Sequence, residues 1–241
     1  MISQKTFIAV IPARYAATRF PGKLMQILGS KPIIRHVYDN TVATGLFTDV
    51  FVVTDSDIIH DEITSHGGKA IMSKKTHESG SDRIAEAVAE MNVDVIVNVQ
   101  GDEPFIKKEP LENLVRLYND PEVQVASLMR KISKEDATNP NNVKVVTDKN
   151  GYALYFSRSI IPFQRDYEMT AEYFLHVGVY AYTKDVLMSF TRWPQSISEK
   201  TEKLEQLRYL ENGIRIRMAE TDYLNIAIDT PGDLERAKQS L

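Results

Sequence analysis

An α/β fold with a doubly wound, mostly parallel sheet and a smaller α+β lobe is what this sequence predicts, and three observations carry the expectation. Four short runs in the first half are apolar and rich in β-branched residues, the pattern of parallel strands covered on both faces. Helix-length segments separate them, so strand and helix alternate and right-handed crossovers are expected. The second half changes to hairpin and alternating patterns, the mark of strands with one wet face.

Taken in order, residues 6–11 give the first strand, which runs into Pro12. Pro32 suits the first turn of a helix that ends near Gly45. Residues 49–54 form the second strand, and a helix over 58–66 stops at Gly67-Gly68. Residues 69–72 are the third strand, followed by a helix over 82–91 with Ser81 as its cap. Residues 93–100 complete the early set. Further on, residues 143–147 and 152–157 flank Asp148-Lys149-Asn150-Gly151, a hairpin turn. A strand over 175–183 precedes helices over 184–190 and 202–209. Ile214, Ile216 and Met218 alternate with Arg215 and Arg217, as in a half-exposed strand. Residues 225–228 make a last short strand. Thr230-Pro231-Gly232-Asp233 then supplies a cap, a first-turn proline and an acidic third position for the final helix. No repeat or low-complexity linker interrupts the chain, so residues 1–241 read as a single domain, with approximately 120–220 as the added lobe.

Bulk properties narrow the function. The 241 residues are 43% hydrophobic and 26% charged, which is ordinary for a globular chain. A formal charge of -4 gives no bulk attraction to nucleic acid. Zero cysteines exclude disulfides, thiolate metal sites and cysteine nucleophiles. The first apolar run is too short for a signal-peptide core, and no segment reaches the ~18 apolar residues of a membrane span. A cytoplasmic location without membrane insertion is the expectation.

Ligands of open α/β sheets bind beyond the carboxyl ends of the strands. After the first strand, residues 12–23 (PARYAATRFPGK) bring Arg14, Arg19 and Lys23 together with small residues and Gly22. Fixed cations beside accessible backbone N–H groups suit a polyphosphate. The loop is no Walker A motif, because Leu24 follows Gly22-Lys23 and Ala17 stands where the leading glycine belongs. Nor does it carry G-x-G-x-x-G, so a dinucleotide dehydrogenase lacks its fingerprint. A solvated loop of scattered charges is the plainer reading; the spacing favours phosphate.

Asp102 follows the 93–100 strand in Gly101-Asp102-Glu103-Pro104. A carboxylate there suits Mg²⁺, which takes carboxylates, phosphate oxygens and waters; a turn-forming Asp is the equal alternative. Asp229 shifts the balance as a second acid at a strand end. If the two converge, they bring a metal to the loop at Arg14–Lys23. Other constellations are weaker. Ser79-Gly80-Ser81-Asp82-Arg83 binds a base or caps a helix, with capping the safer reading. Arg158 beside Tyr155 and Phe156 is a carboxylate clamp or a surface ion pair. His176 in an apolar strand is more simply a satisfied core histidine, and scattered histidines exclude a zinc site. Residues 203–208 (KLEQLR) pattern as an amphipathic helix.

Seven segments together resemble one family over essentially the full length. They are residues 11–23 (IPARYAATRFPGK), 98–104 (NVQGDEP), 142–146 (NVKVV), 152–162 (YALYFSRSIIP), 176–182 (HVGVYAY), 204–208 (LEQLR) and 229–235 (DTPGDLE). The chain is similar to CMP-Kdo synthetase, the 3-deoxy-manno-octulosonate cytidylyltransferase family. The resemblance implies a nucleotide-diphospho-sugar transferase-like sheet. It also implies transfer of CMP from CTP to the anomeric hydroxyl of 3-deoxy-D-manno-octulosonate (Kdo), releasing pyrophosphate, for lipopolysaccharide biosynthesis. Asp102, Asp229, Lys23 and Arg14 would be catalytic, with Mg²⁺ on Asp102 and Asp229. Arg14, Thr18, Lys23, Ser79, Gly80, Arg83 and Asp102 would bind the nucleotide. Gln100, Arg158, His176, Glu205 and Gln206 would line the sugar pocket, with Arg158 on the Kdo carboxylate. A homodimer joined through the second-half lobe is implied as well. Departures from the family pattern fall at Ala17, Leu175 and Gly232. The competing expectations are a cytidylyltransferase for 8-amino-Kdo or another acidic sugar, and a catalytically silent nucleotide-binding module.

Overall fold

The computed structural model describes residues 5–16, 20–77, 79–166, 168, 170–224 and 227–239. Strand β1 (Phe7–Ala13) is followed by a short antiparallel pair, β2 (Ile27–Leu28) and β3 (Lys31–Pro32), and then by helix α1 (Ile33–Ala43). Next come β4 (Asp49–Thr54), α2 (Asp57–Thr64), β5 (Ala70–Met72), α3 (Gly80–Val88), β6 (Val95–Asn98) and α4 (Lys108–Leu117). The second half contains β7 (Val125–Ile132), α5 (Lys134–Thr138), β8 (Lys144–Thr147), β9 (Ala153–Ser157) and β10 (Tyr173–Thr183). It ends with α6 (Lys184–Phe190), α7 (Ile197–Glu202), α8 (Gln206–Glu211), β11 (Ile216–Glu220) and α9 (Pro231–Lys238).

The strands of both halves share one sheet in the order β11-β7-β10-β6-β1-β4-β5, with β8 paired to β10 and β9 to β8. Pairing is parallel through β6-β1-β4-β5, as the continuously apolar runs required. The long strand β10 lies antiparallel between β6 and β7, and the sheet is therefore mixed. Side chains of β1 show how both faces are used. Ala9 and Ile11 enter one core with Val37, Leu111 and Ile228, while Ile8 and Val10 enter the other with Ile84, Phe156 and Phe190. The period of two along a strand sends neighbours to opposite faces, and helices cover each.

Local chemistry corrects several expected boundaries. Pro32 is the N-cap of α1: its φ of -62 suits a helix, but its ψ of 153 is extended because the residue is still paired in β3. Ser79, not Ser81, caps α3: its Oγ accepts from the Asp82 N–H. The helix expected over 202–209 is two helices, because Lys203 adopts φ 56 and reverses the chain between α7 and α8. Of the strand expected at 225–228, residues 225 and 226 lie outside those described, and 227–228 carry no strand. Thr230 and Asp233 do form a reciprocal capping box on α9.

Candidate active site

The carboxyl ends of β1 and β6 open into the same cleft. Behind β1, Gly22 takes φ 66 and starts a 3₁₀ turn over Lys23–Met25, whose Leu24 is buried. That anchor turns Lys23 back towards the sheet. Behind β6, Gly101 passes so close to β1 that a Cβ there would sit 3.0 Å from the Pro12 carbonyl oxygen. Glycine is the residue that admits this approach, and it carries Asp102 into the cleft. The segment before α9 arrives from the far end of the chain, tied to the same turn by the Ile228 N–H donating to the Asp102 carbonyl at 3.0 Å. Asp229 is held in place by Asp233, which accepts from its N–H at 3.1 Å.

These segments bring three charges to a point. The Lys23 ammonium donates to Asp102 Oδ2 at 2.6 Å and to Asp229 Oδ1 at 3.0 Å. Burial alone would lower the lysine's pKa, but the two carboxylates outweigh it and hold Lys23 above its usual range.

Around this cluster lies a cavity of about 410 Å³. Exposed Arg14 lines it, as do Ser79, Gly80, Arg83 and His77 from the α3 side. Gly80 presses on Pro12, where a Cβ would meet the ring at 3.4 Å. Arg83 is buried, its guanidinium donating to Asp55 at 2.7 Å and to Ser73 Oγ at 3.1 Å. His77 Nε2 lies 2.9 Å from Glu86.

A second cavity of about 350 Å³ adjoins the first, and Pro12, Gly80, Gln100 and Glu205 line both. Its floor comes from one face of β10, where His176, Gly178, Tyr180 and Tyr182 fall at every second position. Gln100 donates to the Gly178 carbonyl at 3.3 Å. Desolvation raises the pKa of the Glu205 carboxyl, whose Oε2 accepts from Ser81 Oγ at 3.2 Å. Gln206 is buried beside His176. Burial pushes the His176 imidazole down to about 3, so it is neutral at physiological pH.

The comparisons agree with this architecture. The family model described as cytidylyltransferase matches residues 8–216. A Flavobacterium johnsoniae 3-deoxy-manno-octulosonate cytidylyltransferase is 60% identical, covering 97% of this chain and 98% of that protein. The Christiangramia forsetii protein of the same name is 51% identical over 99% of this chain and 98% of its own. The chain belongs to the 3-deoxy-manno-octulosonate cytidylyltransferase family. A solved CMP:2-keto-3-deoxy-manno-octonic acid synthetase, complexed with CTP, superposes with a TM-score of 0.94 at 41% identity, covering 98% of this chain and all of that one. The likeness to 4-diphosphocytidyl-2C-methyl-D-erythritol synthase from Anaerococcus prevotii shows the fold alone, with a TM-score of 0.67 at 14% identity and 98% of each chain covered.

Within this cytidylyltransferase site, Lys23, Asp102 and Asp229 meet directly, while Arg14, Ser79, Gly80 and Arg83 share their cavity. Gln100, His176, Glu205 and Gln206 gather in the second. Thr18 lies outside the described residues. Arg158 does not line either cavity. Its guanidinium donates to the carbonyls of Glu202 at 2.7 Å, Pro140 at 3.2 Å and Lys203 at 3.5 Å, which fastens the turn between α7 and α8. Buried Lys144 secures the same corner by donating to the carbonyls of Asn139, Asn142 and Arg158. The cation that lines the second cavity is Lys203. Sequence reading missed His77, Asn98, Tyr180, Tyr182 and Lys203. The two tyrosines had a usable signal, since they stand four and six residues after His176 and so share its strand face; His77 and Lys203 had none, since neither stands at a strand end.

Proposed function

We propose that the chain transfers CMP from CTP to Kdo, forming CMP-Kdo and pyrophosphate. The observation that carries this reading is the meeting of Asp102 and Asp229 at Lys23, in a cavity continuous with a second one lined by amide, imidazole and phenol groups. Nucleotidyl transfer needs alignment of the attacking oxygen and neutralisation of the leaving group rather than a covalent intermediate. The first cavity supplies cations for the triphosphate in Arg14, Lys23 and Arg83. The second supplies hydrogen-bonding groups for sugar hydroxyls, and the shared residues Gln100 and Glu205 stand where the substrates would meet.

The anomeric oxygen of the sugar would form a bond to the α-phosphorus as the bond to pyrophosphate breaks, the hydroxyl proton going to solvent or product. Lys23 and Arg14 would hold the departing negative charge. Two carboxylates fit Mg²⁺, which binds through one or two acidic side chains and completes its shell with phosphate oxygens and water. Asp102 and Asp229 would hold it, and it would add charge stabilisation at the reacting phosphate. Lys203 is the candidate partner for the sugar carboxylate.

A homodimer belongs to the same proposal. Leu154, Phe163 and Ile197, all in the second-half lobe, are 62%, 81% and 82% exposed. Among the described residues no helix is long and apolar enough to cross a membrane, and a cytoplasmic location is proposed with the rest.

The test is pyrophosphate release from CTP and Mg²⁺ with Kdo, 8-amino-Kdo and N-acetylneuraminate supplied in turn. Turnover with Kdo, at the highest kcat/KM of the three, is the expected outcome. CTP binding without pyrophosphate release from any sugar would leave a silent nucleotide-binding module instead.

A further inference from the structure

Ser127 lies on β7 with no exposed surface. Its Oγ is 3.0 Å from His176 Nε2, 3.0 Å from the Val179 carbonyl oxygen and 3.3 Å from that of Val177. The two carbonyls belong to the irregular stretch of β10, where the register with β7 shifts between Val177 and Tyr180. A serine hydroxyl has one proton and two lone pairs, whereas a carbonyl oxygen only accepts. If the proton went to the imidazole, lone pairs of Oγ would face two carbonyl oxygens at close range. The proton therefore goes to a carbonyl, with Val179 the nearer. Oγ is then the acceptor for the ring, and His176 donates from Nε2.

The far side of the ring agrees. Nδ1 faces the side-chain amide nitrogen of Gln206 at 3.5 Å, a donor group that requires a lone pair on Nδ1. At 3.5 Å that bond is long, so a closer donor can take its place. The ring itself cannot swing freely, because Phe156 and Tyr180 pack on it with centroids at 5.0 Å and 5.3 Å. Which imidazole nitrogen carries the proton is set by the partner of the other.

We propose that Ser127 is a positioning residue of the second cavity, fixing His176 as the Nε2–H tautomer so that Nδ1 offers an acceptor to a sugar hydroxyl. The tautomer follows from the hydrogen-bond geometry; its use in sugar recognition rests on the function proposed above. The bulge supplies the carbonyl that orients the serine, and the serine orients the histidine. Specificity follows: a sugar that presents a hydroxyl to Nδ1 is accepted, and an analogue carrying only an ether oxygen there sets its lone pairs against that of Nδ1 with no proton between them.

Long-range ¹H–¹⁵N spectroscopy of the imidazoles tests this without substrate, with His176 identified by the signals missing from His176→Gln. The wild-type spectrum is expected to show an unprotonated Nδ1 and a protonated Nε2; a protonated Nδ1 would overturn the proposal. Ser127→Ala should give mixed tautomers and raise KM for the sugar about tenfold, with kcat and KM for CTP changed less than about twofold, as for loss of one oriented hydrogen bond. Ser127→Thr, which keeps the hydroxyl, should restore both the single tautomer and the KM. An alanine variant with wild-type tautomer and wild-type KM refutes the role. Should Ser127→Ala not fold, the wild-type spectrum still decides. A wild type that shows the expected tautomer but releases no pyrophosphate refutes the proposed function and, with it, the sugar-recognition role.

Discussion

Replacing Glu199 by alanine should destabilise the protein by about 3–5 kcal/mol, the usual cost of leaving one member of a buried ion pair without its partner. The site justifies the upper range of mutational effects. Arg208 and Glu199 side chains are only 8% and 5% exposed, and they pair through two hydrogen bonds of 2.5 Å and 2.7 Å. The arginine stacks over Phe190 with 4.1 Å to the ring centroid, so it has little room to reach water. Without Glu199 its remaining hydrogen bonds are to the carbonyls of Phe190 and Trp193 at 3.4 Å and 3.5 Å, with the charges of Glu205 and Asp82 acting on it without a direct hydrogen bond. The same substitution removes the acceptor for the Ser196 N–H, and with it the capping box of α7. For a chain of this size about 2–4 °C are lost per kcal/mol, so the midpoint of thermal unfolding should fall by about 6–20 °C. Calorimetry measures this directly. A double-mutant cycle with Arg208→Met should show coupling of about 2 kcal/mol or more, because removing both charges spares the buried orphan. A midpoint shift below about 3 °C, or strict additivity, would refute the reasoning. The consequence for the site is specific: Arg208 sits two residues beyond Gln206, so surviving enzyme should lose sugar affinity before CTP affinity.

Asp102→Asn and Asp229→Asn should each lower turnover by at least ~10²-fold while the unfolding midpoint changes little, since each removes a negative charge facing the reacting phosphate; near wild-type rates at limiting Mg²⁺ would contradict the assignment. Acid stability should report His176. Its imidazole is held at about 3 in the fold against an ordinary 6.5, so the unfolded chain binds the extra proton first and stability falls as pH drops through that window. His176→Gln should flatten that part of the pH dependence in urea titrations, and an unchanged slope would show that the ring is accessible to protons in the native state.

The first half of the fold was legible because local and tertiary signals agree there. Residues 49–54 are apolar, β-branched and bounded by turn residues, and they form a parallel strand with the expected ends, whereas the run expected over 93–100 is strand only at Val95–Asn98. The second half was less legible for identifiable reasons. Strand β7 is buried over residues 125–129 but ends in Arg130-Lys131-Ile132, whose two charges break the apolar pattern. The break at Lys203 is a left-handed residue without glycine, stabilised by carbonyl contacts from Arg158 that only the folded corner supplies. No propensity at position 203 announces it.

The site divides along the same line. Asp102 is visible in a sequence because its position beyond a strand can be inferred, whereas residues 227–228 before Asp229 carry no strand; the convergence of the two acids depends on packing, for Lys23 meets partners 79 and 206 residues away. Arg158 shows how many partners one guanidinium can have. An arginine beside aromatics suggests an anion clamp, yet a guanidinium has five donors and readily satisfies them on backbone carbonyls when a turn offers several at once. The 202–203 corner offers two such carbonyls, Glu202 and Lys203, and Pro140 supplies a third. The LEQLR segment resolves its ambiguity in the same way. Leu204 and Leu207 are buried as an amphipathic pattern requires, Arg208 is locked on Glu199, and the two residues between the leucines, Glu205 and Gln206, bring polar groups to the cavity that Leu204 also lines. A structural scaffold and a binding surface therefore share five consecutive residues, and periodicity alone reports the scaffold because only its members contribute to the hydrophobic stripe.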